Sequence, residues 1–204
     1  MSSLTTTFSS DKESLQDILA SVGKGKTQLP DFQRGWVWDD EHIRSLLASI
    51  SLSYPVGAVM MLETGGQSVK FKPRLVEGLE LPSPIQPERL ILDGQQRLTS
   101  FFRSLYLNKP VETTDVRKHP IKRWYYLDIR KAINKNVDRD DAIVALPEDK
   151  KLRFYEKVDI VRKAGQRVEG HGVAACNQVS NARGMEDGQK VFEILVHPAP
   201  SPNP

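Results

Sequence analysis

Residues 90–99 read L-I-L-D-G-Q-Q-R-L-T, and this stretch limits the chain's possible folds more than any other. Leu90, Ile91 and Leu92 form a short apolar run of the kind that makes a buried strand. Asp93-Gly94 turns the chain. Leu98, Phe101, Phe102 and Leu105 then recur at helical spacing until Asn108-Lys109-Pro110. A strand that stops at Asp-Gly and feeds a helix leaves the first-turn N–H groups without backbone partners. Those groups and the positive end of the helix dipole favour an anion. Gln95, Gln96 and Arg97 occupy that first turn, an unusually polar base for so apolar a helix. The pattern points to a phosphate-handling corner.

Each residue of the corner has a chemistry suited to that task. Gly94 permits a tight turn and close approach of a ligand to the backbone. Arg97 supplies a permanently charged fork for phosphate oxygens. Asp93 can hold magnesium, whose sites use one or two carboxylates together with ligand phosphates. Gln95 and Gln96 can orient water or phosphate, as a glutamine does in some nucleotide hydrolases. The plainer alternative is a helix start in which Asp93 caps and Arg97 makes a surface ion pair. On the residues alone, both readings stand.

A second constellation precedes it. Leu29–Trp38 reads L-P-D-F-Q-R-G-W-V-W, with Phe32, Trp36 and Trp38 interleaved with Gln33 and Arg34. Such a segment can make a stacking surface for a base. Taken in isolation, an aromatic cluster covering the core face of the following helix is the commoner use of such residues. Other motifs carry less. Gly23–Thr27 matches only the end of a phosphate-binding loop and follows a helix instead of a strand. His42, His119, His171 and His197 show no metal-ligand spacing.

The 204 residues fit one domain with a tail, and the single Cys176 excludes an internal disulfide. The expected setting is therefore the reducing cytoplasm, with no membrane partner, since no apolar run approaches the roughly 20 residues of a bilayer span. Charge is unevenly distributed. Residues 1–88 hold 8 Lys and Arg against 11 Asp and Glu, whereas residues 89–167 hold 19 against 11. A basic middle fits a polyanionic partner, nucleotide or nucleic acid, although on charge alone an ordinary solvated surface is the simpler reading.

The hydrophobic periodicity predicts a mixed α+β fold. Ser10–Glu13 reads as a capping box for a helix carrying Leu15, Ile18 and Leu19. Asp39-Asp40 opens a second helix with Ile43, Leu46, Leu47 and Ile50 on one face. Gly57–Leu62 reads as a buried strand, Val69–Lys72 as another, and Trp124–Ile129 as a third. The charged stretch near Pro147–Val158 reads as partly helical. Residues 1–9 are expected to be a flexible N-terminus, 10–160 the folded domain, and 161–204 an irregular tail in which only Val191–Val196 could form a strand.

Taken in order, Leu29-Pro30-x-Phe32-Gln33-Arg34-x-Trp36-x-Trp38 and Asp93-Gly94-Gln95-Gln96-Arg97-Leu98-Thr99 resemble the N-terminal domain of GmrSD-type restriction enzymes. That domain belongs to the ParB/sulfiredoxin-like superfamily, so the resemblance implies a small mixed sheet flanked by helices. It also implies a nucleoside-triphosphate-binding and hydrolysing regulatory domain in prokaryotic DNA restriction and phage defence. Carried onto this chain, the catalytic set is Asp93, Gln95, Gln96 and Arg97, with Asp93 as the magnesium carboxylate. The nucleotide-binding set is Phe32, Gln33, Arg34, Gly94, Arg97 and Thr99.

Such proteins commonly continue into a nuclease domain of the His-Asn-His type, and nothing after residue 160 supplies that pattern. The expectation is a regulatory module, truncated, isolated or frame-shifted in its last residues, that works with a nuclease domain or subunit. A DNA-binding or nicking module and a non-catalytic interaction module are the alternatives.

Overall fold

Helix α1 spans Leu15–Gly23 and is capped by Ser14, whose Oγ accepts the Asp17 N–H at 3.1 Å. The expected box at Ser10–Glu13 is therefore displaced. Two Ser-x-x-acid patterns, Ser10–Glu13 and Ser14–Asp17, lie four residues apart in the sequence. The second one caps the helix. In the computed structural model, residues 12–65, 71–154, 157–160 and 173–175 are described.

Strand β1 (Thr27–Pro30) follows and is wholly buried. Helix α2 (Asp40–Ser51) starts at an Asp39 cap and buries Ile43, Leu46 and Leu47, as its periodicity predicts. Strands β2 (Met60–Glu63), β3 (Pro73–Arg74) and β4 (Arg89–Asp93) complete a sheet in the order β2-β4-β1-β3. β1 runs parallel to β4, while β2 and β3 are antiparallel edge strands.

Two strand expectations change here. The stretch 57–62 is not a buried strand: pairing begins only at Met60, and Met60 is half exposed on the sheet edge. The carbonyls of Val56 and Ala58 bind a side chain from elsewhere, which takes that backbone out of the ladder. The third strand of the sheet forms at Pro73–Arg74, after the expected Val69–Lys72, of which residues 69 and 70 lie outside the described residues.

Helix α3 (Gln95–Phe101) leaves β4 directly and passes into a π-helical segment, Phe102–Tyr106. This continuous rod buries Leu98, Phe101, Phe102 and Leu105 at the centre of the main core, against α1, α2 and the sheet. At roughly 1.5–3 kcal/mol per buried large apolar side chain, it is a principal source of stability.

A second sheet is built on the long strand β6 (Pro120–Asp128), which starts four residues before the expected Trp124. β5 (Val111–Thr114) pairs with its first half, and β7 (Ile143–Pro147) with its middle, beyond the short helices α4 (Ile129–Ile133) and α5 (Arg139–Ala142). Strands β8 (Lys151–Phe154) and β9 (Lys157–Ile160) then pair antiparallel. The helix expected near Pro147–Val158 is thus replaced by strand. Charge density suggested helix, but K-L-R-F and K-V-D-I alternate with a period of two, which is the strand signal. Finally β10 (Val173–Ala175) pairs with Tyr126–Asp128, so the second sheet recruits a strand from beyond residue 160. Val191–Val196 lies outside the described residues.

The architecture is α+β, with two small sheets flanked by helices, in line with the expected class. No helix among the described residues is long and apolar enough to cross a membrane.

Candidate functional site

The junction of β4 and α3 is the corner read from the sequence. Gly94 sits there at φ 86°, ψ 6°, in the left-handed region that favours glycine. A Cβ on it would meet Val59 Cγ2 at 3.1 Å and the Ala58 carbonyl oxygen at 3.3 Å. Gly94 is also the N-cap, and no side chain caps this helix. Asp93 therefore does not cap, contrary to the plainer alternative. Its carboxylate is 74% exposed and lies 3.7 Å from Arg97 Nη2, so the expected ion pair does form.

The three polar residues of the first turn all reach backbone. Gln95 is buried, and its Nε2 donates to the Arg34 carbonyl at 2.6 Å. Gln96 uses both ends of its amide: Oε1 accepts from Val37 N–H at 3.0 Å, and Nε2 donates to the Gly35 carbonyl at 3.1 Å. Arg97 donates from Nη2 to the Ala58 carbonyl at 2.9 Å and from Nη1 to that of Val56. In the opposite direction, Gln33 Nε2 donates to the Ile91 and Leu92 carbonyls at 2.7 and 2.9 Å. The two motifs, some sixty residues apart, are thus laced together by reciprocal amide bonds. Each such bond contributes about 1 kcal/mol net, and more is lost if one partner is left buried and unpaired.

Residues the sequence did not flag complete the lacing. Arg74 Nη2 donates to the carbonyls of Gln33 and Arg34 at 3.2 and 3.1 Å, and Nη1 pairs with Glu77 at 2.9 Å. Glu77 in turn accepts the Trp36 N–H at 3.1 Å. Neither residue lies in a recognisable motif. A Pro-Val-Gly-Ala run at Pro55–Ala58 was the one visible hint of the Arg97 seat, because only a side-chain-free residue 57 leaves room for it.

What faces outward differs from what holds the corner together. Arg34 and Asp93 are exposed, and the Arg34 guanidinium makes no hydrogen bond or ion pair among the described residues. Phe32 is 63% exposed, with its ring edge-on to Phe71 at 5.1 Å. Thr99 is fully buried, its hydroxyl without a partner, in the packing beneath the corner. The aromatics do not form one surface. Trp36 Nε1 donates to Ser100 Oγ at 2.9 Å, and Trp38 lies tilted against His42 at 5.7 Å.

A profile of the GmrSD restriction endonuclease N-terminal domain matches residues 15–190. The chain belongs to that family. The match covers both laced motifs and runs on through β10. An uncharacterized protein of Methanocaldococcus jannaschii, MJ0686, is 30% identical over 147 residues, which cover 70% of this chain and 24% of that relative. The chain thus spans about a quarter of the relative's length.

Proposed function

We propose that this domain binds and hydrolyses a nucleoside triphosphate at the Asp93–Arg97 corner and thereby regulates a prokaryotic DNA restriction system. The observation that carries the reading is the uncapped α3 start, with Gly94 left-handed behind it and exposed Asp93 and Arg34 on the two laced segments. Uncapped first-turn N–H groups and a nearby unpaired guanidinium are suited to phosphate oxygens. Phe32 offers an exposed ring to a base.

Asp93 is the carboxylate available there for magnesium. No group of three or more His, Cys, Asp or Glu side chains that could hold a metal occurs among the described residues. One carboxylate suits magnesium, which keeps several waters and takes its remaining oxygens from phosphate. Bound there, the ion would neutralise phosphate charge, the main requirement of phosphoryl transfer. Gln95, Gln96 and Arg97 act here through the backbone they hold. Their hydrogen bonds set where Arg34, Val37 and Ala58 stand, while Arg34 and the first-turn amides meet the phosphates.

Phosphate release from each nucleoside triphosphate with magnesium tests this, comparing wild type with Asp93→Asn and Arg34→Ala. Both substituted side chains are exposed, so both variants retain the fold. We expect release by the wild type and a loss of about tenfold or more in each variant, the scale of one charged contact to the transition state. Equal release by all three proteins overturns the assignment. Nucleotide binding without release favours the second reading, a non-catalytic interaction module. The engagement of Gln95, Gln96 and Arg97 with backbone supports that reading.

A further inference from the structure

Beside the Trp36–Trp38 segment, a groove of about 770 Å³ opens between that segment and strands β5, β6 and β7. This is the size range of small-molecule sites. Five ionisable side chains line it: Arg103, Glu112, Lys122, Arg123 and Glu148. Lys122 is paired with both acids, at 3.5 Å to Glu112 and 3.3 Å to Glu148. Lys122 offsets one of the two carboxylates, and with Arg103 and Arg123 the lining carries one net positive charge.

Neither arginine is satisfied. The Arg103 guanidinium lies over the Trp36 ring at 4.4 Å and makes no hydrogen bond or ion pair among the described residues. Burial lowers its proton affinity, against the opposing pull of Glu112, Glu77 and Tyr125. The Nε of Arg123 is buried and has no hydrogen-bond partner. Buried donors are normally bonded, and a desolvated guanidinium is costly to leave unpaired. Arg103 also projects from the π-helical segment, a distortion often found where function demands it. The groove walls add two indoles, those of Trp36 and Trp38.

We propose that this groove is a second ligand site, separate from the Asp93–Arg97 corner, and that it takes a nucleoside monophosphate group. The phosphate meets the forks of Arg103 and Arg123, which suit phosphate geometry. The base lies against the tryptophan wall, where stacking tolerates any base. The nucleotide can be free or be the 5′-phosphorylated end of a single strand.

The test titrates wild-type protein with adenosine 5′-monophosphate, following tryptophan fluorescence and the indole N–H resonances. Adenosine and inorganic phosphate serve as half-ligand controls. A short 5′-phosphorylated single-stranded oligonucleotide and its unphosphorylated form make the second arm. We expect saturable binding that shifts the Trp36 and Trp38 indole signals. Affinity should fall about tenfold or more in Arg103→Met, which keeps the stem over Trp36 and removes the charge. Asp93→Asn should leave it within about twofold, because sites without shared partners act independently. Tighter binding of the phosphorylated oligonucleotide than of the mononucleotide identifies a strand end as the source, and the reverse order identifies the free nucleotide. Unshifted indole signals with both phosphorylated ligands overturn the proposal. So does equal affinity in wild type and Arg103→Met, or an affinity that Asp93→Asn abolishes. Failure of phosphate release at the corner leaves these outcomes unchanged.

Discussion

The guanidinium of Arg97 stands where any side chain on residue 57 would have to stand. Gly57 has φ +90°, and a Cβ built on it overlaps Arg97 Nη1 outright. The flanking carbonyls of Val56 and Ala58 can close on the guanidinium only because nothing lies between them. A glycine in one motif-free loop thus determines the geometry of the arginine in the central motif.

Gly57→Ala should therefore destabilise the fold by at least about 2 kcal/mol, combining left-handed strain with displaced charged hydrogen bonds. In an Arg97→Ala background the overlap disappears. The two substitutions should then be non-additive by about 1 kcal/mol or more in urea unfolding. Strict additivity would separate the two residues.

Gln95→Leu keeps the approximate volume of a buried side chain and removes its bond to the Arg34 carbonyl. The expected cost is about 1–3 kcal/mol. Amide exchange across residues 33–37 should quicken in the same variant, since that segment loses one of its ties. Unchanged exchange would count against the lacing.

Asp39 is a pH-sensitive element of the fold. Burial raises its carboxyl pKa, but hydrogen bonds from the side chain and backbone of His42, then from Lys118, hold it well below the ordinary carboxylate range. A group whose folded pKa is depressed stabilises above the unfolded value of 3.8 and loses that contribution as pH falls below it. Stability of the wild type should thus drop between about pH 4 and pH 2 by more than that of Asp39→Asn, which still caps α2. The difference should exceed about 1 kcal/mol, because each tenfold change in proton affinity is worth about 1.4 kcal/mol. Parallel acid titrations of the two proteins would refute it.

Phe102 is completely buried and stacks on Tyr106, with ring centroids 5.2 Å apart. Phe102→Ala should cost about 3–5 kcal/mol in thermal or urea unfolding. Phe102→Leu should cost much less, because it leaves a smaller void.

The elements with strong local signals were legible in the sequence. Asp39 at the head of a four-residue apolar stripe defines α2, and Leu90–Leu92 running into Gly94 defines β4 and the start of α3. The misread elements are those whose local signals conflict or repeat. Ser10 and Ser14 offer similar sequence signals for a cap, and Lys151–Phe154 and Lys157–Ile160 are dense in charge yet each alternates with a period of two. Arg74 and Glu77 could not have been found, since nothing beside them in the chain marks them as ties for Gln33 and Trp36.

The Asp93–Arg97 motif, by itself, determined a strand, a left-handed glycine and a polar helix start, because these depend on neighbours within a few residues. The family resemblance needed Leu29–Trp38 as well, with the two motifs in that order. Only the tertiary structure decided which polar atoms remain free. Gln95, Gln96 and Arg97 are drawn onto carbonyls from residues 34–58, while the guanidinium groups of Arg34 and Arg103 bond no carbonyl among the described residues. Hydrogen bonds are satisfied by whatever lies nearest in space, and distance along the chain does not report that.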